Sequence, residues 1–396
     1  MQLITFKYKQ HFPSPIETDY YGNFPFDERL LAVILNSRQS KTPTGNDPWI
    51  VNTLKAIKWA VKKSYVLITS IGMNTWELVC WACGNCGGRQ VIVCPVESST
   101  DINQIIDKIV DDFGLDHNKT GWLFFTATQK AKSPKVDWPK RDKLAVSCAN
   151  IIIPVSLRPD GNIERLLKQY SNDGKNVVIN DFKVGYQDKI KKYKQVITKE
   201  DLNPKISNMP WDYVTHWART HYGPYRNESP QSFYSKLVSS GDYYPNSAIN
   251  TLKQILVEKK IRGSSSNIKD QMSVVGFSSL HPRDVLPLMR WRARYVRWSF
   301  EPYGIAISTG TARSIGLRPV IYGKPSLYET LNQQDKPFFQ SQGIKDGEWR
   351  PENEWRHIGD LDLSVIKPSD MKIIVSKSDE VKAIEWFTES EVISLT

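Results

Sequence analysis

SYVLITSIGMNTWELVCWACGNCGGRQVIVCP, residues 64–95, reads as a strand, a loop, a helix, a glycine turn and a second strand. Its strand segments, Val66–Ile68 and Val91–Val93, are unbroken aliphatic runs with no polar alternation. A strand with one wet face alternates; a parallel strand covered by helices on both faces does not. Toward the amino terminus, LAVILNSRQS (31–40) is another apolar run that breaks into a polar, helix-starting loop. Toward the carboxyl terminus, residues 140–181 repeat the alternation twice, with Ile151–Ile153 and Val177–Ile179 as strands. The expected fold class is α/β, a parallel sheet with helices on both faces, followed by a second, α+β domain. Open parallel sheets bind ligands at the carboxyl ends of their strands, near the point where strand order reverses.

The domain boundaries expected are 1–183 for the α/β module, 184–210 for a lysine-rich connector and 211–396 for the second domain. Residues 1–30 read as an extended segment and loop that feed the first core strand. The second domain opens on WDYVTHWARTHYGPY (211–225), an aromatic stretch read as helical, and continues with an amphipathic helix carrying Leu252, Ile255 and Leu256. At 396 residues the chain can build two sizeable cores. No apolar run is long enough to span a bilayer, and the amino terminus lacks a signal peptide's apolar core, so a cytoplasmic location is expected. Five cysteines, an odd count, argue against a disulfide framework. Cys80, Cys83, Cys86 and Cys94 imitate an iron–sulfur run, but a helix packed on a sheet needs small apolar residues, and cysteine serves as one. His216 and His221 pair with no nearby cysteine, so neither a metal nor a cofactor is expected. A net charge of +11 favours a polyanionic partner, and thirteen tryptophans interleaved with cations suit unstacked bases.

Asn36, Ser37 and Arg38, closing the first strand, resemble the first turn of the superfamily of DNA-processing protein A and the "lonely guy" proteins. These Rossmann-like folds cradle phosphate there on a helix start. Thr69–Asn74, with Ser70 and Gly72, resembles that family's second turn, and Glu77 falls near its acidic position. GGRQVIV (87–93) matches the glycine turn and third strand, and Lys140-Arg141-Asp142 the helix start beside bound nucleotide. In phosphoribohydrolase and nucleoside-deoxyribosyltransferase relatives a glycine-rich turn ends in a Glu that acts at the anomeric carbon. Asp160-Gly161-Asn162-Ile163-Glu164 is similar to that turn, with a glycine missing and Asn162 in place of a glycine-threonine pair. The resemblance implies catalysis by Glu164, assisted by Glu77 or Asp160, with Asn36, Ser37, Arg38, Ser70 and Asn162 holding phosphate. A carboxylate near a sugar whose N-glycosidic bond is breaking stabilises the developing positive charge or forms a covalent intermediate. The alternative is structural: Asp160 caps the helix and Glu164 completes a capping box.

In the second half, GIAIS (304–308), PVIY (319–322) and Glu352-Asn353-Glu354-Trp355-Arg356 resemble proteins linked to abortive phage infection, and more loosely DNA-targeting ADP-ribosyltransferases. That looser likeness implies Arg262 and Ser264 on a dinucleotide and Glu354 on its ribose. An internal salt bridge from Arg356 to Glu354 is the alternative. Arg290, Trp291, Arg292, Arg294 and Trp298 combine spaced cations with aromatic faces, as a DNA-gripping strand requires, or else form an amphipathic segment with solvated arginines. Taken together, the expectation is an enzyme that cleaves N-glycosidic bonds in DNA. It would be a glycosylase removing a base, a modified one in phage DNA, extruded or single-stranded, in bacterial antiviral defence. The competing expectations are an ADP-ribosyltransferase or NAD-consuming toxin, and a non-enzymatic single-stranded-DNA-binding protein. No membrane partner is expected.

Overall fold

The computed structural model describes residues 6–9, 16–24, 30–97, 101–128, 134–171, 176–187, 197–265, 268–292, 297–341 and 352–396. The chain forms two compact units, Met1–Lys191 with Tyr222–Pro245, and Lys192–His221 with Asn246–Thr396. The sequence reading instead places all of 211–396 in one second domain. The difference lies in the helix Pro230–Ser239, whose buried face (Phe233, Tyr234, Leu237) joins the hydrophobic core of the first unit.

The first unit is built on β1 (Phe6–Lys9), β2 (Glu17–Tyr21), β3 (Leu31–Asn36), α1 (Pro48–Lys62), β4 (Val66–Ser70), α2 (Asn74–Asn85), β5 (Arg89–Val96), α3 (Ile102–Phe113), β6 (Thr120–Thr126), α4 (Trp138–Cys148), β7 (Ile151–Ser156), α5 (Asn162–Ser171) and β8 (Val177–Val178). Its eight-stranded sheet has the order β1-β2-β6-β5-β4-β3-β7-β8. The strands from β3 to β8 are mutually parallel, and β2 adds antiparallel to β6, with β1 antiparallel to β2. The amino-terminal segment is therefore a hairpin on the sheet edge rather than a simple lead-in.

Alternate residues of each strand feed opposite cores. Ala32 and Ile34 face α1 and α2, whereas Leu31, Val33 and Leu35 face α4 and the amino-terminal part of α5. All six residues of β3 are buried, as are all six of β7. Each such aliphatic side chain contributes about 1.5–3 kcal/mol of transfer free energy, which is why unbroken apolar runs settle in this layer. Strand order runs outward from β3 in both directions, through β4 to one side and β7 to the other. The carboxyl ends of β3 and β7 thus form the reversal point.

The second unit holds a seven-stranded sheet in the order Arg318–Pro319, Glu354–Ile358, Val274–Ser278, Tyr213–Trp217, Gly304–Ser308, Met371–Val375 and Glu391–Ser394. Only the pair formed by the last two is parallel. This corrects the helical reading of 211–225. Val214 and Thr215 are β-branched, and both Val214 and Trp217 are buried, on opposite faces of the sheet. A segment covered on both sides favours β-branched and aromatic residues in a central strand. Among the described residues, no helix is long and apolar enough to cross a membrane.

Candidate functional site

At the reversal point β3 and β7 shift register between Leu35 and Asn36. The irregularity turns the chain so that Ser37 ties the two loops together. Its backbone N–H donates to the Ser156 carbonyl at 2.8 Å, and its Oγ accepts the Arg158 N–H at 2.9 Å. Gln39 Nε2 adds a longer bond to the same Ser156 carbonyl. Asn36 is buried against α1, where its Nδ2 donates to Thr53 Oγ1 at 2.9 Å and its Oδ1 finds no partner. Arg38 is exposed, and its carbonyl accepts the Tyr186 hydroxyl at 3.0 Å.

The loop from Arg38 to α1 is braced by the excursion Tyr222–Pro245. Gly45 N–H donates to Ser240 Oγ at 3.0 Å, and Asn46 binds the Gly241 carbonyl and the Asp242 carboxylate. A Cβ on Gly45 would lie 2.7 Å from the carbonyls of Leu237 and Val238, so only glycine permits this approach. Asp47 takes the N–H and hydroxyl of Thr44, which shapes the entry into α1.

Lys41 stands on this loop with its Nζ 4.9 Å from the ring centroid of Tyr222. Burial, then the positive charges of Arg38 and Lys135, push its ammonium below the ordinary lysine range. Lys135 comes from the segment after β6, so Lys41 feels positive charge from its own loop and from a second one. The sequence reading missed Lys41, Lys135 and Tyr222. Lys41 lies three residues beyond Arg38 and was within reach of a charge count; Lys135 is nearly a hundred residues away and was not.

The carboxylates expected to be catalytic each have defined partners. Glu164 is half-buried, accepts the Asp160 N–H at 2.9 Å and pairs with Lys168 at 3.2 Å. Those bonds to Asp160 and Lys168 hold its carboxyl below the usual range. Asp160 has φ 55°, a left-handed turn that Asp tolerates and that leads directly into α5. Asn162 Oδ1 accepts from Arg165 Nη2 at 2.6 Å. Ser70 is buried with its hydroxyl donating to the Val93 carbonyl at 2.6 Å, so it joins β4 to β5 instead of facing a ligand. Glu77 accepts the Gly72 N–H at 2.9 Å and the Tyr234 hydroxyl at 2.7 Å. Gly72, at φ 87°, needs that left-handed turn, and Glu77 fixes it. The bonding partners of Glu77 are Gly72 and Tyr234, and those of Glu164 are Asp160 and Lys168.

Arg141, expected beside nucleotide, is 1% exposed. Its guanidinium lies 5.4 Å from the ring centroids of both Trp76 and Trp138 and binds the Asp142 carboxylate at 2.7 Å. Cys80, Cys83 and Cys94 are buried free thiols, with burial as the main cause of their raised pKa values, and no metal-binding group occurs among the described residues.

In the second unit, Arg262 pairs with Glu258 at 2.9 Å, and Ser264 bonds through its backbone to Val274. Glu354 is engaged through both oxygens by Arg356, at 2.8 and 3.1 Å. Arg356 is 1% exposed and also donates to the carbonyls of Pro337 and Phe339. The expected salt bridge between Arg356 and Glu354 is thus present. Trp291–Arg292 and Arg297–Trp298 form a short antiparallel ladder with Trp291 opposite Trp298 and Arg292 opposite Arg297. The two indoles meet edge to face at 6.1 Å, which puts the aromatic and cationic pairs on opposite faces. Arg290 is exposed, and Arg294 lies outside the described residues.

No family model and no curated protein matches the chain. Among solved structures it is similar to DNA processing protein A from Streptococcus pneumoniae, at 14% identity and a TM-score of 0.35, over 45% of this chain and 63% of that one. It is similar also to DNA processing protein A from Helicobacter pylori, described for its single-stranded DNA binding mode, at 13% identity and a TM-score of 0.34, over 46% and 81% of the two chains. The Moco carrier protein from Chlamydomonas reinhardtii aligns at 11% identity and a TM-score of 0.26, over 39% and 91%.

Proposed function

We propose that the first unit binds a phosphate-bearing ligand, a nucleotide or single-stranded DNA, beyond the carboxyl ends of β3 and β7. One observation carries this reading: Lys41, on the loop that follows β3, feels the positive charges of both Arg38 and Lys135. Gathering like charges costs free energy that a bound polyanion returns. The chain's net charge of +11 supports the same partner class.

Hydrolysis of an N-glycosidic bond, with Glu164 at the anomeric carbon, is the finer form of this reading. Glu164 is half-buried, and its bonds to Asp160 and Lys168 favour the ionised form that a group at the anomeric carbon needs, but those same bonds already engage its Oε2. Binding without chemistry in this unit is therefore the function the geometry supports best. A role in antiviral defence, and phage DNA as the particular target, rest on the family resemblance.

The test is fluorescence anisotropy with a labelled single-stranded oligonucleotide across a salt series. Removing one cation that neutralises a phosphate of a single strand reduces the slope of log K against log salt by about 0.7. Arg38→Ala, Lys41→Ala and Lys135→Ala are each expected to flatten the slope by about that amount. Binding indifferent to salt, or slopes unchanged in all three variants, overturns the proposal. Abasic-site formation that disappears in Glu164→Gln would restore the enzymatic form.

A further inference from the structure

We propose that Asn74 and Tyr234 are positioning residues for Lys41: they hold the loop after β3 in place and so set how tightly Lys41 meets an anion, although neither supplies a cation. The inference rests on the phosphate site proposed above and adds the part of the first unit that orders it.

Residues 37–47 form neither helix nor strand, yet they carry Arg38 and Lys41. A segment of that kind fixes a side chain only through bonds to its surroundings. Asn74, the first residue of α2, donates its Nδ2 to the Ser40 carbonyl at 2.9 Å, on the peptide that leads into Lys41. Asn74 itself follows the turn that Gly72 makes at φ 87°. Glu77 pins that turn, because its Oε1 accepts the Gly72 N–H at 2.9 Å and its Oε2 the Tyr234 hydroxyl at 2.7 Å. The same hydroxyl lies 3.5 Å from the Asn74 carbonyl. Tyr234 is 1% exposed and packs against Trp81 and Phe113, so Glu77 is tied to a side chain that cannot swing away.

The helix that carries Tyr234, Pro230–Ser239, leads to the same loop a second time. Just beyond it, Ser240 Oγ accepts the Gly45 N–H, while the Gly241 carbonyl and the Asp242 carboxylate bind Asn46. Lys41 therefore lies between two anchors, Ser40 and Gly45–Asn46, and both lead back to one helix. The first runs through Asn74 and Glu77; the second is direct. Ordering a long side chain and its loop at the moment of binding costs affinity, and a loop ordered beforehand avoids that cost. A substitution that frees the loop thus weakens binding without removing any cation.

The test is a double-mutant cycle on the full chain. It is read by anisotropy with the labelled single-stranded oligonucleotide, and the active fraction is fixed by titration at stoichiometric concentration. Tyr234→Phe keeps the ring and its packing, and Asn74→Ala keeps a good helix former at the start of α2. Each is expected to weaken binding about two- to tenfold, the cost of ordering one long side chain on binding, and to leave the slope against log salt unchanged. In the Lys41→Ala background the same substitutions should change affinity by less than about twofold, because their effect passes through Lys41. Equal losses in the two backgrounds, or variants that differ from the parent only in active fraction, overturn the proposal. Amide exchange on the ligand-free chain separates this inference from the phosphate reading. The Thr42 N–H donates to Ser40 Oγ at 3.1 Å, and it and the Gly45 N–H should exchange severalfold faster in both variants. A parent that binds no oligonucleotide sinks the phosphate reading, and faster exchange at Thr42 and Gly45 would still support the positioning of the loop. Unchanged exchange at both amides refutes it.

Discussion

Separating residues 1–191 from the rest of the chain should unfold the α/β unit, although every strand of its sheet lies within that stretch. The missing part is Tyr222–Pro245, which supplies Phe233, Tyr234, Leu237 and Tyr244 to the core, all at most 8% exposed. Tyr234 lies between the rings of Trp81 and Phe113, at 6.3 and 6.4 Å, and donates its hydroxyl to Glu77. At about 1.5–3 kcal/mol for each buried apolar side chain, the four contribute about 6–12 kcal/mol of burial. The net stability of a domain is about 5–15 kcal/mol, so the loss is comparable with the whole. Urea unfolding of the 1–191 fragment, followed by far-ultraviolet dichroism and tryptophan fluorescence, should therefore show no cooperative transition. Adding residues 222–245, as a peptide or through a flexible linker, should restore one. A fragment of 1–191 that unfolds cooperatively at the urea midpoint of the intact first unit would refute the reasoning, because the excursion would then be packing without holding.

Other outcomes follow from individual groups. Glu352 is raised from 4.5 to about 7, mainly by burial, which at about 1.4 kcal/mol per pH unit caps the cost of ionising it at about 3 kcal/mol. That cost is absent below pH 4.5 and complete above 7, so Glu352→Gln should gain urea resistance over the parent at pH 8 but not at pH 4; an equal effect at both would exclude it. His216 is pushed down to about 4, mainly by burial, and so stays neutral in the folded chain while the unfolded chain takes up a proton below 6.5. Its contribution is present above pH 6.5 and lost as pH falls through 4, so His216→Gln should flatten the acid limb of the stability profile. Gly72→Ala places a side chain at φ 87° and should cost about 1 kcal/mol or more in thermal or urea unfolding; a neutral result would show that the turn relaxes.

The α/β unit was legible because its strands are buried on both faces, which leaves unbroken runs such as Ile151–Ile153 in the sequence. The runs do not give the strand order; the order β4-β3-β7 makes the reversal point, and Asn36 to Arg38 lie on it. What stayed hidden depends on contacts distant in sequence. No local pattern says that the helix carrying Phe233, Tyr234 and Leu237 packs beside α2 and α3, or that Tyr234 occupies Glu77. The stretch around Val214 and Thr215 misled because its aromatic spacing is compatible with a helix face, while neighbours on both sides decided for a strand. A carboxylate at a helix start reads alike whether it caps or catalyses. Only burial and partners distinguish the two, and the partners of Glu164 are Asp160 and Lys168.

The His221 N–H donates to the Asn246 carbonyl at 2.9 Å, so the excursion Tyr222–Pro245 leaves the second unit and re-enters it at neighbouring residues. The covalent chain consequently passes between the units three times, after Lys191, His221 and Pro245. Proteins joined by one linker exchange partners through a single genetic crossover. Here such an exchange would strip the first unit of part of its own interior, so its two halves must be inherited as a pair.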